Sequence, residues 1–465
     1  MRRIIFIIFI LLSIAEVQVL ISGCAQIMAP TGGGRDSLPP KLISASPENR
    51  STNFSANHIT LNFDEYVHLE DVVQNLLVSP APDPKNNPYI DSRLRTVTIK
   101  LRDTLQPNTT YTIDLGNSIK DINENNAIKN FTYVFSTGAT IDSLTFSGKV
   151  QVAETGETDS TILVFLYKNL DDSAVIKQKP NYIARVDGKG NFKFQNLAGG
   201  EYKVYALKDA DRSRTYNNPK TEMFAFADKS IQVSGNTPPV TLYAYLEEKE
   251  KEKSKQDKVI EKRLRYASRV PSEKQDVLTG LEIDFTRPLK NFNAEKILLT
   301  DTLNNIVKDV KVTTDSSNKK VVVQHTWLQN TDYKLIILKD FATDTLGNSL
   351  AKTDTIKFKT KGETDYGIVK LTFLNFDPRK NPVLQFVQNN EVLYSYPLTS
   401  ERWNAQLFNP GDYEIRVLYD ENKNGKWDPG NFALKRQPEK VYSILKKILV
   451  SRNFEKEVDN IELPK

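Results

Sequence analysis

The hydrophobic and polar positions along this chain follow the pattern of short β-strands. Stretches of β-branched and aromatic residues alternate with polar positions or run together, and Asn, Asp, Gly or Pro bounds each of them. Examples are HITLNFDEYV, RTVTIKLRD, TYTIDLG, NFTYVFSTG, KVVVQHTW and DYKLIILKD. Short strands at this spacing predict an all-β fold built from β-sandwiches.

The two halves of the chain repeat this pattern. Residues 59–79 match residues 281–301, and residues 105–138 match residues 328–362. A second unit follows each matched region and contains GGEYKVYALKDADRSRTYNNP in the first half and PGDYEIRVLYDENKNGKWDPG in the second. Such a repeat is the signature of duplicated structural units. It predicts an A-B-A-B order of tandem β-sandwich domains, each of about 100 residues.

The N-terminus has the features of an export signal. Met1, Arg2 and Arg3 precede the apolar run IIFIIFILLSIA. This run of about a dozen apolar residues is too short to span a bilayer, so a secretory signal peptide is predicted. The following ISGC resembles a bacterial lipobox and ends in Cys24, the only cysteine of the chain. The resemblance implies cleavage before Cys24 and diacylation of its thiol, which would give a stable membrane anchor. The alternative is an unmodified thiol after an ordinary signal peptide.

The A units resemble a known domain family. PPKLISASPENRSTNFSANHITLNFDEYV, LQPNTTYTIDLG and FSTG are similar to the bacterial Ig-like domain of S-layer and surface proteins, with a fainter copy at residues 266–362. The B units resemble transthyretin-like or Cna-B-like sandwiches, in which PGxY precedes a core strand. The whole arrangement is similar to Ig-like lipoproteins of Bacteroidota. This resemblance implies a fold and carries no catalytic residues with it.

These patterns divide the chain into segments. A Gly-, Pro- and Ser-rich tether follows the cysteine, and an almost wholly charged spacer separates the two halves. The predicted order is a lipoprotein signal peptide at 1–23, a flexible tether at 24–40, an Ig-like domain at 41–138, a transthyretin-like β-sandwich at 139–246, a charged linker at 247–265, a second Ig-like domain at 266–362 and a second transthyretin-like β-sandwich at 363–465.

Composition narrows the range of functions. The net charge of +5 is small for 465 residues, and Lys and Glu are interspersed, so no nucleic-acid partner is predicted. The three histidines, His58, His68 and His325, are far apart in sequence and leave little material for a histidine metal site or a catalytic triad. The sequence contains no nucleophile elbow, phosphate-binding loop or His-Glu-x-x-His motif. A non-enzymatic protein is predicted.

One loop of the second half has the residue pattern of a calcium-binding loop. Asp420, Asn422 and Asn424 stand at alternate positions, Gly425 permits a sharp turn, and Asp428 offers a further oxygen. Hard cations bind six to eight such oxygens. However, position twelve, where an EF-hand-type loop carries a bidentate Glu, is Asn. The sequence therefore predicts at most a weak structural calcium, and no other cofactor.

The alternative for this loop is a hairpin turn without an ion. Asp and Asn side chains bond their own backbone two residues on, and glycines supply positive φ. The first half carries the same loop in diluted form, with Asp209, Asp211 and Ser213 at the corresponding positions. Arg214 replaces the glycine there, which argues against an ion in the first copy.

A further pattern places Asp before Ser or Thr, followed by an apolar residue or Thr. It resembles the O-glycosylation sequon of Bacteroidota, and a sugar on such a hydroxyl would add bulk and solubility. The alternative is a common turn-to-strand transition. The candidate hydroxyls are those of Ser37, Thr104, Ser143, Ser160, Ser173, Thr302, Thr345 and Thr355.

Taken together, the sequence predicts a lipid-anchored outer-membrane envelope protein that acts as a non-enzymatic binding or scaffold subunit. The expected partners are outer-membrane β-barrels or envelope lipoproteins of an assembly or transport complex, docked on exposed sheet edges. One alternative is a free cell-surface lipoprotein that binds glycan or another ligand, or mediates adhesion. The other is an unrecognised hydrolase, which predicts an acidic cleft that the sequence does not show. Surface-exported lipoproteins of Bacteroidota tend to carry acidic residues soon after the lipidated cysteine, whereas the first acidic residue here is Asp36. The resemblance to that family therefore favours the periplasmic face, and the cell surface stays the alternative.

Overall fold

The computed structural model describes residues 34, 36–247, 263–270 and 272–464. The predicted signal peptide, Cys24 and most of the charged linker lie outside the described residues. Within them the chain is almost wholly β-strand and turn, which confirms the all-β, tandem β-sandwich prediction. It divides into two compact units, Met1–Ile141 and Asp142–Lys465, here called the first and second unit.

The first unit contains the first Ig-like domain. Its strands are β1 (Leu42–Ser46), β2 (His58–Phe63), β3 (Val67–Leu69), β4 (Leu77–Ser79), β5 (Tyr89–Arg93), β6 (Thr96–Lys100), β7 (Thr110–Gly116), β8 (Ile119–Asp121) and β9 (Phe131–Ser136), with single helical turns at Val72–Asn75 and Pro84–Asn86. A sheet of order β1-β2-β6-β5 shares a core with a sheet of order β4-β7-β9, and β3 pairs with β8.

The period-two pattern of these strands builds the core. In β2, Ile59 and Leu61 point inward and lie opposite Ile99 and Val97 of β6. The residues between them face solvent or are half-buried. Alternation with one face buried fixes the register, because a shift of one residue would turn every apolar side chain outward.

The second unit begins with the β-sandwich that the sequence predicts as transthyretin-like, here called the first transthyretin-like domain. Its strands are β10 (Leu144–Val152), β11 (Leu163–Tyr167), β12 (Tyr182–Arg185), β13 (Asn191–Leu197), β14 (Gly200–Leu207), β15 (Phe224–Phe226), β16 (Ile231–Val233) and β17 (Val240–Ala244), with one helical turn at Ala174–Lys177. A sheet of order β13-β10-β17 packs on a sheet of order β12-β11-β14-β15, and β16 pairs with β14. The last strand, β17, runs parallel to the first strand, β10.

The β-sandwich that the sequence predicts as a second Ig-like domain, and which keeps that label here, repeats the strand order of the first. Its strands are β18 (Tyr266–Ala267), β19 (Leu281–Phe285), β20 (Leu289–Lys290), β21 (Ile297–Thr300), β22 (Lys311–Thr314), β23 (Lys320–Gln324), β24 (Asp332–Ile337), β25 (Thr343–Asp344) and β26 (Asp354–Lys359), with a 3-10 turn at Ala294–Lys296. A further 3-10 turn at Glu363–Asp365 leads into the next domain. The sheets have the orders β18-β19-β23-β22 and β21-β24-β26, and β20 pairs with β25.

The second transthyretin-like domain repeats the other topology. Its strands are β27 (Gly367–Leu374), β28 (Pro382–Gln388), β29 (Glu391–Pro397), β30 (Arg402–Phe408), β31 (Gly411–Tyr419), β32 (Lys440–Val450) and β33 (Glu455–Glu462), with a 3-10 turn at Pro378–Lys380. The sheets have the orders β30-β27-β33 and β29-β28-β31-β32, and β33 again runs parallel to the first strand, β27. The strand orders therefore show the duplicated A-B-A-B arrangement directly.

Two seams join the sandwiches of the second unit. At the first, which we call the aromatic seam, Phe432 of the second transthyretin-like domain packs among the aromatic rings of the first. Strand β32 adds a backbone hydrogen bond between the two domains, in which the N–H of Val441 donates to the carbonyl of Ala153 at 2.9 Å. Gly156 has φ of +70°, and a Cβ there would lie 2.7 Å from the carbonyl oxygen of Val441. The two backbones meet too closely at this point for a larger residue.

The second seam is polar and joins the second Ig-like domain to the second transthyretin-like domain. Asp276 accepts the hydroxyl proton of Tyr366 at 2.7 Å and an amide proton of Asn409 at 2.6 Å. The hydroxyl oxygen of Tyr366 in turn accepts the N–H of Val277 at 2.9 Å. Burial and the hydrogen bond to Asp276 raise the pKa of the Tyr366 phenol, so it stays protonated and can donate.

Of the described residues, none belongs to a helix with the length and the apolar character that crossing a bilayer requires.

Candidate functional site

Two related loops of the second unit each gather several polar and charged side chains. Loop 1 comprises residues 209–222 and connects β14 to β15, and loop 2 comprises residues 420–439 and connects β31 to β32. Each loop joins two antiparallel neighbours of one sheet, so both are hairpin connections. Loop 1 begins with Asp209, two residues after the end of β14, and loop 2 begins with Asp420, directly after β31. Each loop ends at a buried glutamate, Glu222 or Glu439.

In loop 1 the first aspartate organises the turn. Asp209 Oδ2 accepts the backbone N–H of Arg214 at 3.2 Å and its guanidinium Nη1 at 3.0 Å. Asp211 accepts the N–H of Ser213 at 2.8 Å and the side-chain amide of Asn217 at 2.9 Å. These bonds are the local side chain–backbone pattern that favours Asp in turns.

A third carboxylate of loop 1 comes from the far end of the loop. Glu222 is 1% exposed, and its Oε2 accepts the N–H groups of Asn217 and Asn218, both at 3.0 Å. One carboxylate oxygen from each of Asp209, Asp211 and Glu222 lies within 4.8 Å of the others. The loop therefore gathers three acidic groups around one point.

Burial sets the electrostatics of this cluster. It raises the pKa of Asp209 and of Glu222 because a charged carboxylate is less well solvated inside the protein. The guanidinium of Arg214 opposes the rise at Asp209, and the two backbone N–H donors oppose it at Glu222. Burial also lowers the pKa of Arg214 itself, while Asp209 opposes that shift.

Arg214 of loop 1 has the left-handed backbone conformation that Gly425 has at the corresponding position of loop 2. Its φ is +58°, and the φ of Gly425 in loop 2 is +77°. The left-handed region costs a residue with a Cβ about 1 kcal/mol or more. The ion pair with Asp209 offsets this cost, so the two loops share a turn although one lacks the glycine.

Loop 2 contains the residues that the sequence predicts as calcium ligands. Asp420 accepts the N–H groups of Asn424 at 3.2 Å and Gly425 at 2.7 Å. Asp428 Oδ2 accepts the side-chain amides of Asn422 and Asn424, both at 2.6 Å. The structure thus brings the four residues together and engages them in hydrogen bonds of the turn, so the calcium prediction stays a prediction.

Glu439 is a member of loop 2 that the sequence pattern missed. It is buried, and its two carboxylate oxygens accept the N–H groups of Glu421 at 2.8 Å and Asp428 at 3.0 Å. Burial raises its pKa, and these hydrogen bonds oppose the rise. It occupies the place that Glu222 has in loop 1. A buried glutamate just before the returning strand is the signal that both copies share.

Both loops reach the aromatic seam. Tyr216 of loop 1 stacks on Phe224 with ring centroids 4.2 Å apart, and its ring lies 6.4 Å from Phe432 of loop 2. Trp427 of loop 2 donates its indole N–H to the carbonyl of Glu439 at 2.8 Å. Lys435 pairs with Asp172 of the other sandwich at 2.6 Å. Order in the loops is therefore coupled to the packing of the two domains.

The predicted glycosylation hydroxyls lie mainly at the surface. Ser173 is half-buried, and the other seven are exposed. In several of these motifs the aspartate caps a local turn, as Asp301 does by accepting the N–H of Leu303 at 2.8 Å. The geometry thus accommodates both the glycan and the turn hypotheses. Cys24, the predicted lipidation site, lies outside the described residues.

Comparison with known proteins identifies one domain of the chain. The family model of the bacterial Ig-like domain matches residues 36–137. This segment of the chain is therefore similar to a bacterial Ig-like domain. The match covers the first Ig-like domain and leaves the remainder unassigned. A search of curated proteins found no matching relative.

Several solved structures are distantly similar to the chain. Native alpha-2-macroglobulin from Escherichia coli, domains MG0-NIE-MG1, is 11% identical, with 39% of this chain and 71% of that chain covered and a TM-score of 0.20. The major pilin subunit BcpA of Bacillus cereus is 13% identical, with 68% and 99% covered and a TM-score of 0.16. The S-layer protein rSbsC is 12% identical, with 82% and 52% covered and a TM-score of 0.16. At these TM-scores the similarities carry no functional argument.

Proposed function

We propose that this protein is a lipid-anchored component of the outer-membrane envelope and acts as a non-enzymatic binding or scaffold subunit. In this proposal Cys24 carries the lipid, and residues 25–40 space the first Ig-like domain from the membrane. The β-sandwiches then present surfaces to partner proteins. The expected partners are outer-membrane β-barrels or other envelope lipoproteins of an assembly or transport complex.

The two seams of the second unit are the observation that supports a scaffold role. A scaffold has to hold its binding surfaces at fixed relative positions, whereas domains that share only a small interface move relative to one another. Here Phe432 is buried in the neighbouring sandwich, and Asp276 is bonded to two residues of the next domain. Three sandwiches of this unit are therefore held in one arrangement.

Strand β29 supplies a surface for such a partner. It is the edge of its sheet, and it exposes the consecutive apolar residues Val392 and Leu393. The outer side of an edge strand presents backbone N–H and C=O groups that can pair with a strand of another protein. The apolar pair would add contact area beside that backbone ladder.

Affinity purification from detergent-solubilised native membranes tests the proposal. The tagged protein is expected to recover an outer-membrane protein at fixed stoichiometry, and Val392→Lys with Leu393→Glu is expected to reduce that recovery by about tenfold. Leu303→Lys is the matched control, because Leu303 is also exposed but lies in a turn of another domain. Recovery of the protein alone would contradict a stable complex, and glycan-array binding would then favour the free ligand-binding alternative.

A further inference from the structure

Loop 1 contains two buried carboxylate oxygens that lack a partner. Within the described part of the chain, Asp209 Oδ1 and Glu222 Oε1 are shielded from solvent and accept no hydrogen bond. The Asp209 side chain is 2% exposed and Glu222 is 1% exposed. Buried carboxylate oxygens are normally paired, because an unpaired one loses its hydration and gains nothing in return. The other oxygen of each group is already bonded to the loop, so these two are the ones free to bind a ligand.

We propose that loop 1 binds a divalent cation of the calcium type through Asp209, Asp211 and Glu222. The three carboxylates already bring one oxygen each within 4.8 Å of the others, so an ion between them needs no large movement of the chain. The two unpaired oxygens belong to two of these three residues, Asp209 and Glu222. This site is independent of the envelope-scaffold role proposed above.

The charge of the cluster fits a divalent ion. Three carboxylates face one guanidinium, that of Arg214, which is bound to Asp209 Oδ2. The ionised cluster therefore carries a net charge of −2, and one divalent cation makes it neutral. Arg214 lies on the opposite oxygen of Asp209 from the unpaired Oδ1, so the guanidinium and an ion can bind the same aspartate together.

The donor set selects calcium over softer metals. All three side chains offer oxygen, whereas zinc and copper sites draw on His nitrogen or Cys sulfur. Calcium accepts six to eight oxygens in flexible geometry and completes its shell with backbone carbonyls and water. Magnesium demands a regular octahedron and gives up its waters reluctantly. A loop whose three carboxylates each already accept a backbone N–H suits calcium better.

An ion at this site would close the loop onto the aromatic seam. Asp209 follows β14 and Glu222 precedes β15, so the ion ties the two ends of the loop together. Tyr216 lies between them and packs against Phe224 and Phe432. Binding would thus stiffen the side of the loop on which the second transthyretin-like domain rests.

Calorimetric titration of calcium into the purified, chelator-treated full-length protein tests the proposal. The wild-type protein is expected to bind calcium with a dissociation constant of about 10⁻³ M or tighter, as extracellular calcium modules do. Glu222→Gln is expected to weaken binding at this site by at least about tenfold, because it removes a charged ligand and keeps the shape. Asp211→Asn is expected to act in the same direction, and because Asp211 is exposed its replacement does not threaten folding.

A control variant separates the two loops. Asp420→Asn with Asp428→Asn removes any ion from loop 2 and is expected to leave calcium binding by loop 1 unchanged. Loss of all binding in this control, no binding by the wild-type protein, or unchanged binding in both Glu222→Gln and Asp211→Asn would overturn the proposal. Equal affinity for magnesium would overturn the calcium assignment. If acid pH stabilises the protein through this cluster and calcium does not, the cluster holds a shared proton in place of the ion. That result would also overturn the proposal.

Discussion

The ring centroid of Phe432 lies 4.9 Å from that of Phe224, although the two residues belong to different β-sandwiches. Phe432 also approaches Phe226 at 5.4 Å and Tyr205 at 5.8 Å, and it is 6% exposed. The outer face of the sheet β12-β11-β14-β15 is therefore covered by a side chain from the second transthyretin-like domain. The two domains share a hydrophobic core at this seam.

Replacing Phe432 with alanine is expected to uncouple the two transthyretin-like domains. Truncation of a buried Phe costs about 3–5 kcal/mol when the cavity cannot collapse, and a seam can relax more than a core, so a loss of about 3 kcal/mol is expected. Urea unfolding followed by tryptophan fluorescence measures it. Phe454→Ala, at a position that is 70% exposed, is the control and is expected to change stability by less than about 0.5 kcal/mol. Equal effects of the two substitutions would argue against stabilisation by the seam.

Asp344 is expected to make stability depend on acid pH. It is fully buried, and its Oδ2 accepts a guanidinium proton of Arg287 at 2.6 Å. Burial opposes ionisation, but the bonds from Asn348, Arg287 and Leu346 outweigh it and hold the pKa of the carboxyl below its ordinary value. The stabilisation from this depressed pKa is present above the ordinary Asp pKa of 3.8 and is lost as the pH falls through the lower folded value.

Asp344→Asn is therefore expected to cost about 2 kcal/mol at neutral pH and less at pH values near 3. Denaturant unfolding at several pH values gives the difference between wild type and variant at each. Asp332→Asn, at an exposed position of β24, serves as the control and is expected to show no such trend. A difference that stays constant down to pH 3 would show that the charge of Asp344 contributes nothing.

Calcium binding to loop 2 is expected to change the fluorescence of Trp427. Its indole is bonded to the carbonyl of Glu439, whose carboxylate accepts the N–H of Asp428, so rearrangement around an ion would move the ring. In a variant with Trp327→Phe and Trp403→Phe, calcium is expected to shift the fluorescence at about 10⁻³ M, and a chelator to reverse the shift. Asp428→Asn should abolish the response. A signal that Asp428→Asn leaves intact would come from elsewhere, and no signal would leave loop 2 as a turn.

Cys24 is expected to carry the lipid. Cys24→Ala should abolish incorporation of a labelled fatty acid. It should also move the protein out of the membrane fraction, because the acyl chains that anchor it would be absent. Ser37→Ala, in the same region of sequence, should do neither. Labelling that persists in Cys24→Ala would refute lipidation at this residue.

The mass of the native protein is expected to exceed the summed masses of its polypeptide and lipid, because attached glycans add to it. Intact-mass measurement compares it with the same chain made in a host that lacks the modification. Thr302→Val and Thr345→Val are expected to remove one glycan each, because both hydroxyls are exposed. Thr112→Val in β7, which has no preceding aspartate, is the control. Native protein with the mass of peptide plus lipid alone would leave these motifs as turns.

The sequence predicts the strands and their duplication well because both depend on local patterns. HITLNFDEYV alternates, and β2 lies within it with Ile59 and Leu61 inside. The continuous apolar run LVFLY of β11 is a subtler signal. All of its residues but the first are buried, because both faces of its sheet are covered, one by the inner core and one at the aromatic seam.

The seams and the acidic cluster lie beyond local patterns. Phe432 reaches Phe224 only after two domains have folded, and nothing in the local spacing encodes that contact. Glu222 and Glu439 follow their first aspartates at different distances, so a fixed loop motif finds neither of them. Arg214 misleads sequence reasoning in a different way, because the ion pair with Asp209 stabilises a backbone conformation that is usually left to glycine.

The parallel pairing of first and last strands decides how these domains respond to tension. Because β17 runs alongside β10, and β33 alongside β27, the chain enters each transthyretin-like domain at one end and leaves it at the other. A force along the chain pulls the paired strands past each other, so the whole ladder of hydrogen bonds has to break together. If the end strands were antiparallel, the same force would break their hydrogen bonds one after another. Pulling single molecules by their ends would therefore give high rupture forces for these two domains.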